Sequence, residues 1–456
     1  MKRKKLYMAI LLFAGILTSC KVGKSYVRPD LHLPDSLAQH QDSVSFGDQD
    51  WKDIYADSTL RSLIDRALEH NKDMLIAAAR VKEMAAQKRI STAALLPDIK
   101  GKVTAERELE NHGGDAFKKA DTFEAQFLVS WELDLWGNLR WARSASIAEY
   151  LEAQRALRMT IVAEVAQAYY ELVALDTELD IVKQTLKARE EGVRLARIRF
   201  AGGLTSETSY RQAQVELART ATLVPDLERK ISLKENDIAF LAGEYPNRIA
   251  RSRLLQEFNF PETLPVGLPS TLLERRPDIR QAEQKLIAAN AKVGVAYTNM
   301  FPRLALTGGF GTESTSLSEL LKSPYAVMEG ALLTPIFGWG KNRAALKAKK
   351  AAFEGEVHNY EKSVLTAFKE TRNAIVNFNK IKEVYELRAN LERSAKSYMD
   401  LAQLQYINGV INYLDVLDAQ RGYFDAQIGL SNAIRDELIA VVQLYKALGG
   451  GWEQNP

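Results

Sequence analysis

Phe123-Glu124-Ala125-Gln126-Phe127-Leu128-Val129-Ser130-Trp131-Glu132-Leu133-Asp134-Leu135 decides how this chain is read. Every odd position is apolar, and every even position except Leu128 is polar or charged. Alternation with period two marks a strand with one wet face and one apolar face. At ~3.3 Å per residue the run reaches ~43 Å, and tilted by about 45° it covers the ~30 Å hydrocarbon layer of a bilayer. Working outward, Ile99 to Leu109 alternates as well. Ile99, Gly101, Val103 and Ala105 fall on one face; Lys100, Lys102, Thr104, Glu106 and Glu108 fall on the other. Asn111-His112-Gly113-Gly114-Asp115 reads as the loop between them.

A second hairpin follows at 302–337, with runs from Pro302 to Thr312 and from Tyr325 to Phe337. Leu304, Leu306 and Phe310 keep the alternation, while Glu329 falls on a nominally apolar face. A half-buried sheet of a soluble domain is the competing reading of one such run; two duplicated hairpins favour a membrane barrel. Four strands cannot close on themselves, and open edges are not tolerated in lipid. The barrel is therefore shared, and closed cyclic symmetry makes three chains and twelve strands the expected solution. Its lipid-facing belt is expected to include Phe123, Phe127, Val129, Trp131 and Leu133.

The hairpins belong to a tandem duplication. Asn71-Lys72-Asp73 and Leu96-Pro97 return as Arg276-Pro277-Asp278 and Phe301-Pro302, both displaced by 205 residues. Leu135-Trp136-Gly137 answers Gly338-Trp339-Gly340 at 203, and Gly203 answers Gly409 at 206. Leu241-Ala242-Gly243 is matched to Leu448-Gly449-Gly450 at 207. The copies span 57–244 (hairpin 99–135) and 270–450, joined by a linker, 245–269, that holds four prolines. Each copy reads as a helix (about Leu60 to Leu95, and Ser270 to Met300), two strands, a long helix, a Gly-centred turn and a second helix.

In the first copy the long helix is expected from Asn138 to Phe200, ~90 Å at 1.5 Å per residue. Its ladder Ile161, Val165, Ala168, Leu172, Leu175, Leu179, Val182 and Leu186 steps by four and three, a coiled-coil cadence. Val364, Phe368, Thr371, Ile375 and Phe378 begin the same cadence in the second copy. Gly203-Leu204-Thr205 and Gly409-Val410-Ile411 turn the chain back, with Ser206 and Asn412 as N-caps.

The N-terminus reads as export. Lys2 to Lys5 precede an apolar run from Leu6 to Leu17, of signal-sequence length and too short to span. Removing 1–19 takes four of the 61 Lys and Arg, leaving 57 basic against 58 acidic residues and no footprint for nucleic acid. Leu17-Thr18-Ser19-Cys20 resembles a lipobox, so covalent lipid is expected on Cys20, the chain's only cysteine. An extended arm, 20–56, and a tail, 451–456, flank the copies. The five histidines are scattered, and no phosphate-cradling loop follows a strand. Glu132 and Asp134 are expected to face the lumen rather than to form a catalytic pair.

These signals together resemble the NodT branch of the TolC-like outer-membrane factors. The likeness rests on the lipobox followed by Tyr26-Val27-Arg28-Pro29, on Ser130 to Gly137, and on Leu273-Glu274-Arg275-Arg276-Pro277-Asp278-Ile279. Tyr413 to Gln420 and Leu448-Gly449-Gly450-Gly451-Trp452 complete it. The resemblance implies a mainly α fold with membrane β, a homotrimer with a twelve-stranded outer-membrane barrel and a periplasmic α-barrel, no cofactor and no catalysis. It implies a periplasmic adaptor and an inner-membrane pump of the resistance-nodulation-division type as partners. Adaptor contacts would fall on Gly203, Leu204, Thr205, Gly409, Val410 and Ile411. The constriction would fall on Tyr413 to Arg421, with Leu414 and Asp418 at the axis and Asp415 and Arg421 nearby. Alternatives are a periplasmic coiled-coil adaptor or scaffold lipoprotein, and a duct of this fold serving protein secretion.

Overall fold

The computed structural model describes residues 21–31, 33, 45–110, 118–153, 158–252, 255–257, 264–265 and 269–450. Cys20, the loop at 111–115 and the tail lie outside the described residues. The helices are α1 (Trp51–Ile54), α2 (Ser58–His70), α3 (Lys72–Ala93), α4 (Asn138–Ala153), α5 (Arg158–Ala201), α6 (Glu207–Leu241), α7 (Pro269–Arg275), α8 (Pro277–Thr298), α9 (Lys341–Ile407) and α10 (Tyr413–Ala447). The strands are β1 (Asp98–Glu110), β2 (Lys118–Leu133), β3 (Arg303–Ser314) and β4 (Pro324–Leu333). They form one antiparallel sheet in the order β1-β2-β3-β4.

The long helix expected from Asn138 is described as α4 and α5, with 154–157 outside the described residues. Its second-copy counterpart, α9, is one helix of 67 residues. The first helix of each copy differs from expectation. Asn71 interrupts the first and Arg276 the second, so that α2–α3 and α7–α8 replace single helices. Both interruptions do the same work. Asn71 Nδ2 donates to Leu241 O at 2.8 Å, and Arg276 Nη1 donates to Ala447 O at 3.1 Å, each closing the last turn of a helix in its own copy. Asn71 Oδ1 also accepts from the amides of Asp73 and Met74 and so starts α3. Arg276 is held through its guanidinium by Asp278 and Glu370. The duplicated motif is thus a joint that satisfies carbonyls a helix end leaves open.

The copies do not fold into a domain each. Contacts cluster into two units, one from Met1–Leu31, Ala79–Arg155 and Arg280–Ser363, the other from His32–Ala78, Ala156–Ile279 and Val364–Pro456. In the second unit Tyr55, Leu60, Ile64, Tyr169, Leu172, Ile238 and Val441 form a core with Tyr445, whose hydroxyl donates to Gln49 O at 2.7 Å. Asp57 organises one corner: it caps α2 through the amides of Thr59 and Leu60 and accepts from the Tyr169 hydroxyl. The heptad ladder is buried at Ile161, Val165, Ala168, Leu172 and Val182, and half-buried at Leu175, Leu179 and Leu186. α6 carries Pro225 in its interior; Ser431 holds the equivalent place in α10.

Candidate functional site

The sheet sorts its side chains by chemistry. The pairings Ile99↔Val129 and Gly101↔Phe127 continue as Val129↔Gly308, Phe127↔Phe310 and Gly308↔Met328, giving one apolar face across four strands. Phe127 is 67% exposed on it. The other face is polar, and Glu124 is its hub. Its carboxylate accepts from Lys102 Nζ and Thr104 Oγ1 at 3.0 Å, and from Gln126 Nε2 and Tyr325 Oη at 2.7 Å. These donors lie on three strands, so the network ties β1, β2 and β4 together.

Three expectations change here. Glu329 pairs with Thr307, which pairs with Ser130, so it stands on the polar face and breaks no pattern. Leu133 is only 9% exposed: its own chain covers it, and it does not belong to a lipid-facing belt. Asp134 lies beyond the strand and caps α4, accepting from the amides of Leu139 and Arg140 at 3.0 Å. Trp131 stays on the odd face, with its indole N–H donating to Leu95 O at 3.0 Å.

The Gly turns share one geometry. Leu204 N donates to Arg199 O and Gly203 N to Phe200 O; Val410 N donates to Gln405 O and Gly409 N to Tyr406 O. This pair of bonds is the Schellman closure, with its C′ residue left-handed: φ is +70° at Gly203 and +75° at Gly409. Leu204 and Val410, 73% and 70% exposed, project from the turns. Ile411 differs, packing onto a cluster of Tyr406, Tyr413, Val416 and Leu417 with Ala196 and Ala213. Thr205 is half-buried. The same left-handed residue ends the second helices at Gly243 and Gly449, so the equivalent of Gly243 is Gly449, one residue from the sequence match.

On the first turns of α10, Leu414 and Asp418 are exposed on one helix face, and Arg421 Nη2 lies 3.3 Å from Asp418. Asp415 is engaged locally, its carboxylate accepting from Asn412 N at 3.0 Å as part of a capping box. Burial pushes the neighbouring Tyr413 hydroxyl up to about 12, with Tyr406 adding to the shift.

The N-terminal arm holds contacts that its sequence did not reveal. Val22 N donates to Trp136 O, and Trp141 Nε1 donates back to Val22 O at 2.8 Å. Lys21 Nζ sits 3.3 Å over the Trp141 ring and donates to Ser144 Oγ. Burial, then the Arg140 charge, lowers the Lys21 pKa against the pull of Asp134. Further along, Tyr26 and Arg28 both reach Glu283, Arg28 through a bidentate pair at 2.6 and 2.8 Å. Residues two apart on an extended chain share a side, which is why Tyr26 and Arg28 meet one carboxylate while Val27 points away. Among the described residues, no helix is long and apolar enough to cross a membrane, and no cluster of three His, Cys, Asp or Glu is placed to hold a metal.

The family model described as Outer membrane efflux protein matches residues 63–244 and 268–450. The outer membrane protein OprJ of Pseudomonas aeruginosa is 33% identical, covering 100% of this chain and 98% of its own. The solvent efflux pump outer membrane protein SrpC of Pseudomonas putida is 32% identical, covering 99% of each. Among solved structures, the outer-membrane channel OprN superposes with a TM-score of 0.89 at 28% identity, covering 95% of this chain and 100% of that one. The open-state MtrE channel of Neisseria gonorrhoeae gives 0.87 at 29% identity, covering 95% and 98%. With its duplicated TolC-like fold and its two-faced sheet, the chain belongs to the outer membrane efflux protein family and is an efflux channel of the outer membrane.

Proposed function

We propose that three copies close their sheets into a twelve-stranded barrel and serve as the passive exit duct of a tripartite pump. A periplasmic adaptor engages the Gly turns, and a resistance-nodulation-division pump supplies cargo from the inner membrane. The observation that carries this reading is the open sheet: apolar on one face, polar on the other, with no partner on the outer edge of β1 or β4 among the described residues. Such edges in lipid require closure. Relatives named for toluene, solvent and cation efflux support small molecules as cargo. The duct does no chemistry; its residues line, seal and dock. Purified in detergent, the protein is expected to have the native mass of a trimer and to conduct ions in planar bilayers. A non-conducting monomer overturns the reading.

Leu414 and Asp418 close the resting duct, three copies of each meeting at the axis. A ring of Leu excludes water, and a ring of Asp favours cations. Their shared exposed face on α10 supports this, as does the capping bond that occupies Asp415. Leu414→Ala with Asp418→Ala is expected to raise single-channel conductance and weaken cation preference; unchanged conductance and selectivity place the seal elsewhere.

Leu204 and Val410 lead the adaptor contact, with the turn glycines setting their direction. Gly203→Val with Gly409→Val is expected to abolish efflux in cells while trimers persist, since a β-branched residue resists the left-handed conformation. Wild-type efflux in that variant removes the turns from the docking surface. Cys20 carries the lipid and begins the mature chain. Mass spectrometry of the N-terminal peptide checks this, the expected result being an acylated Cys20 that Cys20→Ala eliminates.

A further inference from the structure

The two copies are equivalent in sequence and unequal in what covers them. In copy one, Trp136 stacks on Phe301 with ring centroids 5.1 Å apart and donates its indole N–H to Pro302 O at 2.7 Å. Its equivalent, Trp339, is 90% exposed beside the equally bare Phe337 and Ile336. The residues equivalent to Phe301 and Pro302 are Leu96 and Pro97, both exposed. The helices repeat this imbalance. α4 of copy one packs Trp141 and Ala145 on Ala291 and Val295 of α8. The equivalents of Trp141 and Ala145 on α9, Ala344 and Ala348, are exposed. α3, the equivalent of α8, buries no residue at all. Each bare surface of copy two is thus the counterpart of one that copy two covers on copy one. Trp339 is also the one non-glycine among the described residues with positive φ, +49°, a conformation that seated Trp136 does not share.

We infer that Trp339 seats on Leu96 and Pro97 of a second copy of this chain, donating its indole N–H to that Pro97 carbonyl, and that this contact fixes the register of the joint between β4 and the second copy's β1. The inference rests on the trimer reading and goes further, to a residue-level register. The duplication supplies that register. β1 maps to β3 by 205 residues and β2 to β4 by 203, and these offsets convert the β1–β2 pairing Ile99↔Val129 into the β3–β4 pairing Leu304↔Leu332. Applied to the β2–β3 pairing Leu133↔Leu304, they place Ile336 opposite Ile99. Two further steps put Leu332 opposite Val103, and Leu333 opposite Lys102. Every pair keeps its face: Ile336, Leu332, Ile99 and Val103 extend the apolar side, and Leu333 and Lys102 lie on the polar side. The register also sets Glu329 opposite Glu106. This like-charge pair opposes the joint, but on the polar face, where water screens it. A slip of one residue would turn every apolar side chain of β4 to the wrong face.

Cysteine pairs in the full-length lipoprotein, oxidised in isolated outer membranes, test this. Directly opposed residues stand about 4.5–5.5 Å apart, within disulfide reach. Leu333→Cys with Lys102→Cys is expected to give a disulfide-linked ladder up to trimer on non-reducing gels. Leu333→Cys with Glu106→Cys, displaced by four residues or about 13 Å, is expected to give none. Linking by the displaced pair alone overturns the register and leaves the trimer standing. No disulfide in either pair, with trimers still captured by a lysine cross-linker, does the same. No disulfide and no captured trimer overturns the trimer reading itself. Trp339→Ala is expected to lower the temperature at which trimers dissociate in detergent; an unchanged temperature, with the Lys102 pair still linking, removes Trp339 from the joint.

Discussion

Val129→Arg is expected to cost about 2–4 kcal/mol per chain if its level falls near the bilayer midplane, and Ser130→Arg far less. Val129 stands between Ile99 and Gly308 on the apolar face; Ser130, the next residue, stands between Asp98 and Thr307 on the polar one. A guanidinium at 129 must shed water into hydrocarbon or drag the head of its side chain toward an interface. At 130 it remains in a wet lumen. In the proposed trimer each chain carries the change, so the cost is felt three times over. The measurement is the yield of folded trimer in outer membranes, with urea titration in vesicles for the variants that insert. Equal losses at both positions would contradict the assignment of the two faces, and a larger loss at Ser130 would reverse it.

The second large effect concerns the periplasmic helices. Arg189 on α5 and Glu216 on α6 form an ion pair whose side chains are only 7% and 10% exposed, and Arg189 Nη1 also donates to the Glu216 carbonyl at 2.9 Å. Removing one partner of such a pair strands a charge away from water, at a cost of about 3–5 kcal/mol. Arg219, 3.3 Å from the same carboxylate, draws the effect toward the lower end. Arg189→Met is therefore expected to lower the unfolding temperature of detergent-purified protein markedly. Arg189→Met combined with Glu216→Met is expected to recover most of the loss, since two apolar side chains leave nothing unpaired. A double variant as unstable as the single one would show that packing volume at Arg189, and not the stranded carboxylate, sets the cost.

Sequence alone carried the reading where one physical period dominated. The alternation from Phe123 to Leu135 needed no partner to be seen, and the heptad cadence and Gly turns are equally local. What escaped it depends on groups far away in the chain. Asn71 and Arg276 interrupt helices whose apolar pattern runs on through them, because their partners are carbonyls 170 and 171 residues later. Arg276 is not among the usual capping residues; the local sign of the break is Pro277 behind it, which opens α8 and disfavours a helical Arg276, while the carbonyl that Arg276 reaches has no local sign. The side of Glu329 is not legible in sequence because β4 has no clean alternation of its own; only its register with β3 fixes it. Leu133 fits the strand pattern yet is covered, since alternation gives direction and says nothing of what waits there. Asp134 continues the period-two pattern past the strand end, where it caps a helix instead. The arm's sequence shows only an extended segment, because Glu283 lies 255 residues from Arg28, beyond any spacing rule.

Pro225 makes the two helical hairpins mechanically different although their second helices have equal lengths. Proline has no amide hydrogen, so Ala221 O lacks its rung in α6, whereas Ser431 keeps that rung in α10. α6 therefore has a gap in its hydrogen-bond ladder midway along, and α10 has none at the matching place, its interior Gly422 and Gly429 removing side chains but no rung. A bend at Pro225 has one backbone hydrogen bond fewer to strain than a bend at Ser431. Amide exchange should register the contrast as faster opening just around Pro225 than around Ser431. The two copies thus hold one second helix with a missing rung and one with that rung in place, and the latter carries Leu414 and Asp418.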